Sequence, residues 1–494
     1  MLDQSMLDAI VLKRRQRIAE SGFNQGIPVP EGRTVPLVPF GRNPFIVCEV
    51  KRRSPSKGDI APGLDAPAQA ALYAENGIRS ISVLTEHDYF GGSLADLMAV
   101  KKRFPGIAVL RKDFLLEPED VDLSWRAGAD AILLIAGILE KKTLELLYKR
   151  AQGSGMAVLV EVHGLKDIEK IKPLKPRFTG INSRNLTTFK VDKIHPLKMK
   201  KYIQWDTRLV FESGISRYED ALFAFSSGFS GILVGESVIR RPGLIGEIKT
   251  ALSSGFRGEF WSRLYARFEP GRPLLKICGL TREEDVYFAD DKGADILGFI
   301  LAESPRMVDP RFVAGLRSTR ALKVGVVIAN PGKPQGTNGS GFVDGSILNL
   351  LSGGKLDAVQ FHGYESPESC IDLAYPYYKA LRIRCDSDID AISAYHCPRV
   401  LLDAFSGKAY GGTGKTIAPA LVMAARDKAP LWLAGGINPT NVEYVVNVFQ
   451  PELIDVSSGL EDSPGLKSRE KIDRFFHRIE AAVASEGIDY ARIL

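Results

Sequence analysis

GIRSISVLTE (77–86) and GADILGFILAE (293–303) are two versions of one phrase. Each opens on a glycine, passes through a run of Ile, Leu, Val or Phe, and ends on a glutamate. An apolar run without polar alternation suits a strand of a parallel sheet that is covered on both faces. Working outward from 77–86, similar runs lie at 45–49, 80–84, 108–111, 131–135, 157–160, 178–181, 209–211 and 231–234. From 293–303 the series is 274–278, 296–300, 323–328, 358–361, 378–381, 400–402, 431–433 and 453–455. The intervals are long enough for helices, and eight strand–helix units in about 250 residues make one (β/α)8 barrel. An α/β chain of two tandem TIM barrels is therefore predicted, over residues 1–255 and 273–494. Residues 253–273, rich in Gly, Arg and aromatics and without a strand pattern, read as the junction, with a short helix at 259–268.

Composition agrees with two independently cored domains. At 494 residues, 45% hydrophobic and 25% charged, the chain is ordinary globular protein and too long for a single core. The net charge of +6 is spread along the sequence, which favours small anionic ligands over a nucleic-acid partner. Cysteines at 48, 278, 370, 385 and 397 form no CxxC pair, as suits reduced thiols in a cytoplasm. The six histidines form no HExxH pattern, so no metal site is expected. The longest apolar run, at 131–139, is too short for a membrane span, and no signal or transit segment is read.

Barrel chemistry sits at the C-terminal ends of strands, with phosphate commonly held after strands seven and eight. FESGIS (211–216) and ILVGES (232–237) close the first half, and LAGGIN (433–438) and DVSSG (455–459) close the second. Glycine there lets a phosphate approach the backbone N–H groups. Ser213, Gly214, Gly235 and Glu236, and in the second half Gly435, Gly436, Ser457 and Ser458, are the candidate phosphate positions. GGTGKT (411–416) suggests a nucleotide loop, but the Walker spacing needs glycine where Ala409 stands, so a mobile loop after strand six is the better assignment.

Acids and bases alternate on the strand mouths of the first half. Glu49, Lys51 and Ser54 lie in CEVKRRSPSKG (48–58), Lys112 in LRKDF (110–114), Glu161 in LVEVHG (159–164), and Asn182 and Arg184 in GINSRNL (180–186). A lone charge at a barrel mouth is usually solvated or paired, but several together can move each other's pKa towards the range proton transfer requires.

Together with SVLTEHDYFGGS (82–93), these motifs resemble the indole-3-glycerol-phosphate synthase family over residues 1 to about 255. The resemblance implies closure of an indole ring from carboxyphenylamino-deoxyribulose phosphate with loss of CO₂ and water. Lys112 would be the general acid at the substrate carbonyl, and Glu161, helped by Glu49, would move protons in closure and dehydration. Lys51, Ser54, Asn182 and Arg184 would position the substrate. An N-terminal segment with Met6, Leu7, Ile10, Val11 and Ile18 at helical spacing resembles that family's extra helix.

The second half resembles a different family. LKICGLTREED (275–285), LGFILAESPRMV (297–308), KVGVVIAN (323–330), VQFHGYE (359–365), LLDAFSGKAYGGTGKT (401–416), WLAGGINPTNV (432–442) and DVSSGLEDSPGLK (455–467) resemble phosphoribosylanthranilate isomerase. The implied reaction is an Amadori rearrangement, with Asp403 as the acid at the ring oxygen and Cys278 as the base at C2. A thiol serving as base needs a cationic or dipolar neighbourhood that lowers its pKa. Arg306 would hold the anthranilate carboxylate, and Asp455 the sugar hydroxyls. Two departures stand out: the Gly-, Asn- and Ser-rich insertion at 331–346, expected to be flexible, and Ala404 where a hydroxyl residue is usual.

The expected protein is thus a cytoplasmic monomer that acts on small phosphorylated substrates without cofactor or metal, and binds neither nucleic acid nor membrane. A tandem of phosphate barrels from another pathway would share the glycines but not the strand-mouth acids and bases. A non-catalytic scaffold would have no use for Lys112, Glu161, Cys278 and Asp403.

Overall fold

A computed structural model of the chain describes residues 6–42, 44–185, 188–253, 258–329, 343–370, 373, 375–404 and 416–485. It divides into two units, Met1–Gly255 and Phe256–Leu494. In the first, eight parallel strands close into a barrel: Phe45–Val50, Ser80–Leu84, Ala108–Lys112, Ala131–Ile135, Ala157–Val162, Phe178–Asn182, Arg208–Glu212 and Gly231–Val234. The ring closes where the first strand pairs with the eighth, Phe45 opposite Gly231 and Val47 opposite Leu233. A Cβ on Gly231 would lie 2.5 Å from the Phe45 ring, so only glycine leaves that ring its place beside the closing strand.

Side chains on a strand alternate between faces, and one set of the odd-numbered strands fills the barrel in layers. Val47, Leu110, Leu159 and Val210 make an apolar layer in the buried core, above Phe45 and Ala108. Two residues further along the same four strands stand Glu49, Lys112, Glu161 and Glu212. The topmost layer of this barrel is therefore ionic, set on an apolar floor. Phe40, Phe45 and Phe178 pack edge-to-face at 5.5–6.0 Å below it.

The predicted extra helix is present as Met6–Ser21. Its Arg14, 2% exposed, pairs with the buried Asp120 at 2.6 Å, and Arg17 pairs with Asp88. Met6, Leu7 and Ile10 line the cavity at the barrel mouth.

The second unit closes a barrel from Leu274–Cys278, Ile296–Ile300, Leu322–Val327, Ala358–Phe361, Tyr377–Ile383, Val400–Ala404, Trp432–Leu433 and Leu453–Val456. All sixteen predicted strands fall on these elements, with the seventh of the second barrel shortened to two residues. Within the predicted junction a helix forms, at Phe260–Ala266, and it buries Phe260, Trp261, Leu264 and Tyr265 in the second unit. Trp261 meets Trp432 at 5.7 Å, and Tyr265 Oη donates to Glu452 at 2.8 Å. This segment is part of the barrel's packing rather than a spacer.

The GGTGKT stretch, apart from Thr416, lies outside the described residues, as do 331–342 of the insertion. Its last residues run into the helix Gly345–Ser352, which Asp344 caps by accepting from Ser346 N–H. No helix among the described residues is long and apolar enough to cross a membrane.

Candidate active sites

In the first unit the strand ends surround a cavity of about 540 Å³, lined by Glu49, Lys51, Ser54, Lys112, Glu161, Asn182, Arg184 and Glu212 among others. Lys112 Nζ lies 3.4 Å from Glu161 Oε2 and 3.5 Å from Glu212 Oε2. Asn182 Nδ2 donates to Glu161 Oε1 at 3.0 Å, and its Oδ1 accepts from the Arg184 N–H at 3.0 Å. One amide thus orients the carboxylate and fixes the main chain that carries Arg184. Lys51 pairs with Glu49 at 2.7 Å. Two glycines admit these carboxylates, since a Cβ on Gly180 would lie 1.9 Å from Glu212 Oε1 and one on Gly235 would lie 2.5 Å from Glu49 Oε1.

Burial penalises every charge here, and the neighbours decide which groups keep theirs. For Lys112 burial works against the ammonium, but Glu161, Glu212 and Glu49 together hold its pKa above the usual value. For Glu161 burial works upward and is outweighed by Lys112 and Asn182, so this carboxyl sits below its ordinary range. Glu212 goes the other way: burial first, then Glu161, push it up to about 8. The two carboxyls titrate as a coupled pair, with Glu212 the member pushed up and Glu161 the member held down.

This arrangement has a consequence for stability. Glu212 binds its proton more tightly folded than unfolded, so its contribution declines as pH rises from its ordinary 4.5 to about 8. Glu212→Gln has no proton to lose. Its unfolding free energy relative to the unaltered chain is expected to improve steadily across that window, by up to about 1 kcal/mol per pH unit, with Tm rising in step. A Tm difference that is flat from pH 5 to 8.5 would show that Glu212 is ionised throughout.

The candidate phosphate positions flank the same cavity. Ser213 and Gly214 both adopt positive φ, 69° and 76°, which turns consecutive N–H groups the same way. Gly235 and Glu236 both line the cavity, and the Glu236 carboxylate is paired with Arg240 at 2.9 Å.

In the second unit Cys278, Arg306, Gln360, His362, Asp403, Gly435, Gly436, Asp455, Ser457 and Ser458 line one cavity. Asp403 Oδ1 accepts from the Ala404 N–H at 2.8 Å, and Oδ2 lies 3.2 Å from His362 Nε2. Gly435, with φ 92°, could not carry a Cβ without meeting Ala404 at 2.7 Å and Asp403 Oδ1 at 3.1 Å. Asp455 is bound to the fully buried Lys276 at 2.5 Å. Arg306 gives Nε and Nη2 to Glu461, at 2.7–3.0 Å, and Lys467 joins the same carboxylate at 2.7 Å. Its guanidinium is therefore held in place through Nε and Nη2 at the wall of the cavity.

Cys278 departs from expectation. The cation it needs is there, Lys276, but burial outweighs it and pushes the thiol up rather than down. A Cβ on Gly298 would lie 2.7 Å from its sulfur, so the thiol is enclosed by backbone on that side. Asp455 is likewise raised by burial, with Lys276 opposing.

Residues 37–250 match the family model for indole-3-glycerol phosphate synthase, and residues 275–478 that for N-(5'-phosphoribosyl)anthranilate isomerase. A tryptophan biosynthesis protein of Phytophthora nicotianae is 31% identical, over 86% of this chain and 90% of its own length. The chain belongs to both families. It carries the synthase domain first and the isomerase domain second, the two enzymes of tryptophan biosynthesis that the motifs resemble. A multifunctional tryptophan biosynthesis protein of Schizosaccharomyces pombe is 32% identical over 97% of this chain, which spans 66% of that relative's length. Among solved structures, phosphoribosylanthranilate isomerase of Thermotoga maritima is 32% identical, covering 42% of this chain and 99% of its own, with a TM-score of 0.36.

The synthase domain's Glu212 is absent from the candidates that the motifs supplied, although it stands beside Ser213 in FESGI. Strand parity is the signal for it: two residues beyond the inward Val210, it must face the barrel mouth. In the isomerase domain Lys276, Gln360 and His362 were likewise unread. Gln360 and His362 lie two apart at a strand end, within VQFHGYE, and Lys276 lies two before Cys278.

Proposed function

We propose that the chain performs two successive reactions on phosphorylated sugars, isomerisation in the second domain and ring closure in the first. The observation that carries this is the ionic top layer of the first barrel, an ammonium 3.4 and 3.5 Å from two buried carboxylates. Ring closure with loss of CO₂ and water needs an acid at the substrate carbonyl and groups to take up and return protons as the ring forms and dehydrates. Lys112, kept charged, is the acid. Glu161, ionised and oriented by Asn182, accepts a proton, with Glu49 assisting and Glu212 holding the neighbouring one in reserve. Lys51, Ser54 and Arg184 position the substrate, and the loops at Ser213–Gly214 and Gly235–Glu236 receive its phosphate.

In the isomerase domain Asp403 protonates the ring oxygen of the aminoaldose, opening it to an imine, and Cys278 removes the proton from C2 to give the aminoketose. Since burial keeps the thiol protonated, Lys276 is the charge that favours its thiolate during turnover. Arg306 takes the anthranilate carboxylate, Asp455 the sugar hydroxyls, and Gly435, Gly436, Ser457 and Ser458 the phosphate. The chain acts as a cytoplasmic monomer, for which size-exclusion chromatography is the check.

The test is a coupled assay with phosphoribosylanthranilate, following indoleglycerol phosphate. Cys278→Ala and Asp403→Asn are each expected to stop product formation from that substrate while leaving turnover of the aminoketose intermediate unchanged. Loss of both reactions in a folded Asp403→Asn chain would refute the assignment of one reaction to each domain.

A further inference from the structure

We propose that His362 is a third functional side chain of the isomerase site, a hydrogen-bond donor to the sugar oxygen that Asp403 protonates. This rests on the isomerase reading above. The Lys276 ammonium has donors only. It lies 2.9 Å from Gln360 Oε1, and Tyr378 Oη donates to the same atom at 2.9 Å. Two donors on one amide atom identify it as the oxygen. The NH₂ end then faces His362 Nδ1 at 2.7 Å. An amide NH₂ only donates, so Nδ1 accepts, and the ring proton is on Nε2.

His362 lines the isomerase cavity, and among the described residues its Nε2 is buried without a hydrogen-bond partner, with Asp403 Oδ2 3.2 Å away. A buried donor left unpaired is costly and uncommon in a folded protein. Here the cost is met by three further side chains, Lys276, Gln360 and Tyr378, that hold the ring in one tautomer. The charged groups facing the imidazole are Asp403, Asp455 and, through Gln360, Lys276; Lys379 and Glu365 bind the adjacent Gly363 backbone. An oxygen that approaches both Asp403 Oδ2 and His362 Nε2 receives the proton from the acid and a hydrogen bond from the ring. The imidazole keeps its own proton, so no charge has to be returned to it afterwards.

The full chain, labelled with ¹⁵N-histidine, is to be compared with His362→Leu and His362→Gln. Gln carries an amide N–H near the Nε2 position, whereas Leu offers none. His362→Leu is expected to lower isomerase kcat by about 10²-fold, and His362→Gln to regain most of it, with synthase activity unchanged in both. The resonance lost in both variants should report the Nε2–H tautomer. Unchanged isomerase kinetics in His362→Leu, equal losses in both variants, or an Nδ1–H tautomer would each overturn the proposal. An unaltered chain without isomerase activity would instead overturn the isomerase reading on which it rests.

Discussion

A fragment that starts at residue 273 is expected to fail to form a stable second barrel, whereas residues 256–494 should fold and isomerise on their own. The difference is the helix Phe260–Ala266. Its Phe260, Leu264 and Tyr265 are fully buried and Trp261 nearly so, each contributing about 1.5–3 kcal/mol by leaving water. Their sum is comparable with the whole stability of an ordinary domain, about 5–15 kcal/mol. The helix also supplies one of the donors to a buried carboxylate. Glu452 receives Tyr265 Oη at 2.8 Å, Trp432 Nε1 at 3.0 Å and Arg399 Nη2 at 3.1 Å, and without the helix both the first of these and the cover over Trp432 are lost. Circular dichroism melts and isomerase assays of the two fragments decide the matter. Equal Tm and equal specific activity would mean that the helix is dispensable and that 256–272 is a linker after all.

The second large effect is expected at Lys112. Lys112→Met keeps most of the stem and removes the charge, and synthase kcat should fall by roughly 10²–10⁴, the usual worth of a positioned acid, with isomerase activity untouched. Glu161→Gln should silence the same reaction alone. The Lys112 variant carries a second signature. Without the ammonium, three carboxylates at the barrel mouth face one another, and Glu161 loses the charge that holds its carboxyl low. A carboxyl raised in the folded state contributes less as pH rises, so the variant's stability deficit should widen from pH 5 to pH 8.5. Near-normal ring closure in a folded Lys112→Met chain would remove Lys112 from the chemistry.

Much of the protein was legible in its sequence because the signals concerned were local. A strand covered on both faces must be apolar throughout, so sixteen short runs marked sixteen strands, and the motif residues at their ends fell at the mouths of the two cavities. The helix at 260–266 was visible as a helix, but its membership in the second barrel was not, since Trp261 finds Trp432 and Tyr265 finds Glu452 only after the chain has closed. Glu461 was read as part of a motif rather than as the carboxylate that fixes Arg306 and Lys467.

Local signals along the chain were thus enough for the fold, the order of the two domains, and the types of side chain brought to each mouth. Their protonation was decided by the tertiary structure alone. Glu161 and Glu212 are the same residue type at the ends of two strands of one barrel, yet Lys112 and Asn182 hold one carboxyl low while burial beside it pushes the other up. The sulfur of Cys278 is raised despite its lysine, and the proton of His362 is placed by a glutamine that two other residues orient. Proton positions depend on distances of 3 to 4 Å and on the water excluded around them, and residues far apart in the chain acquire those distances only when the barrel closes.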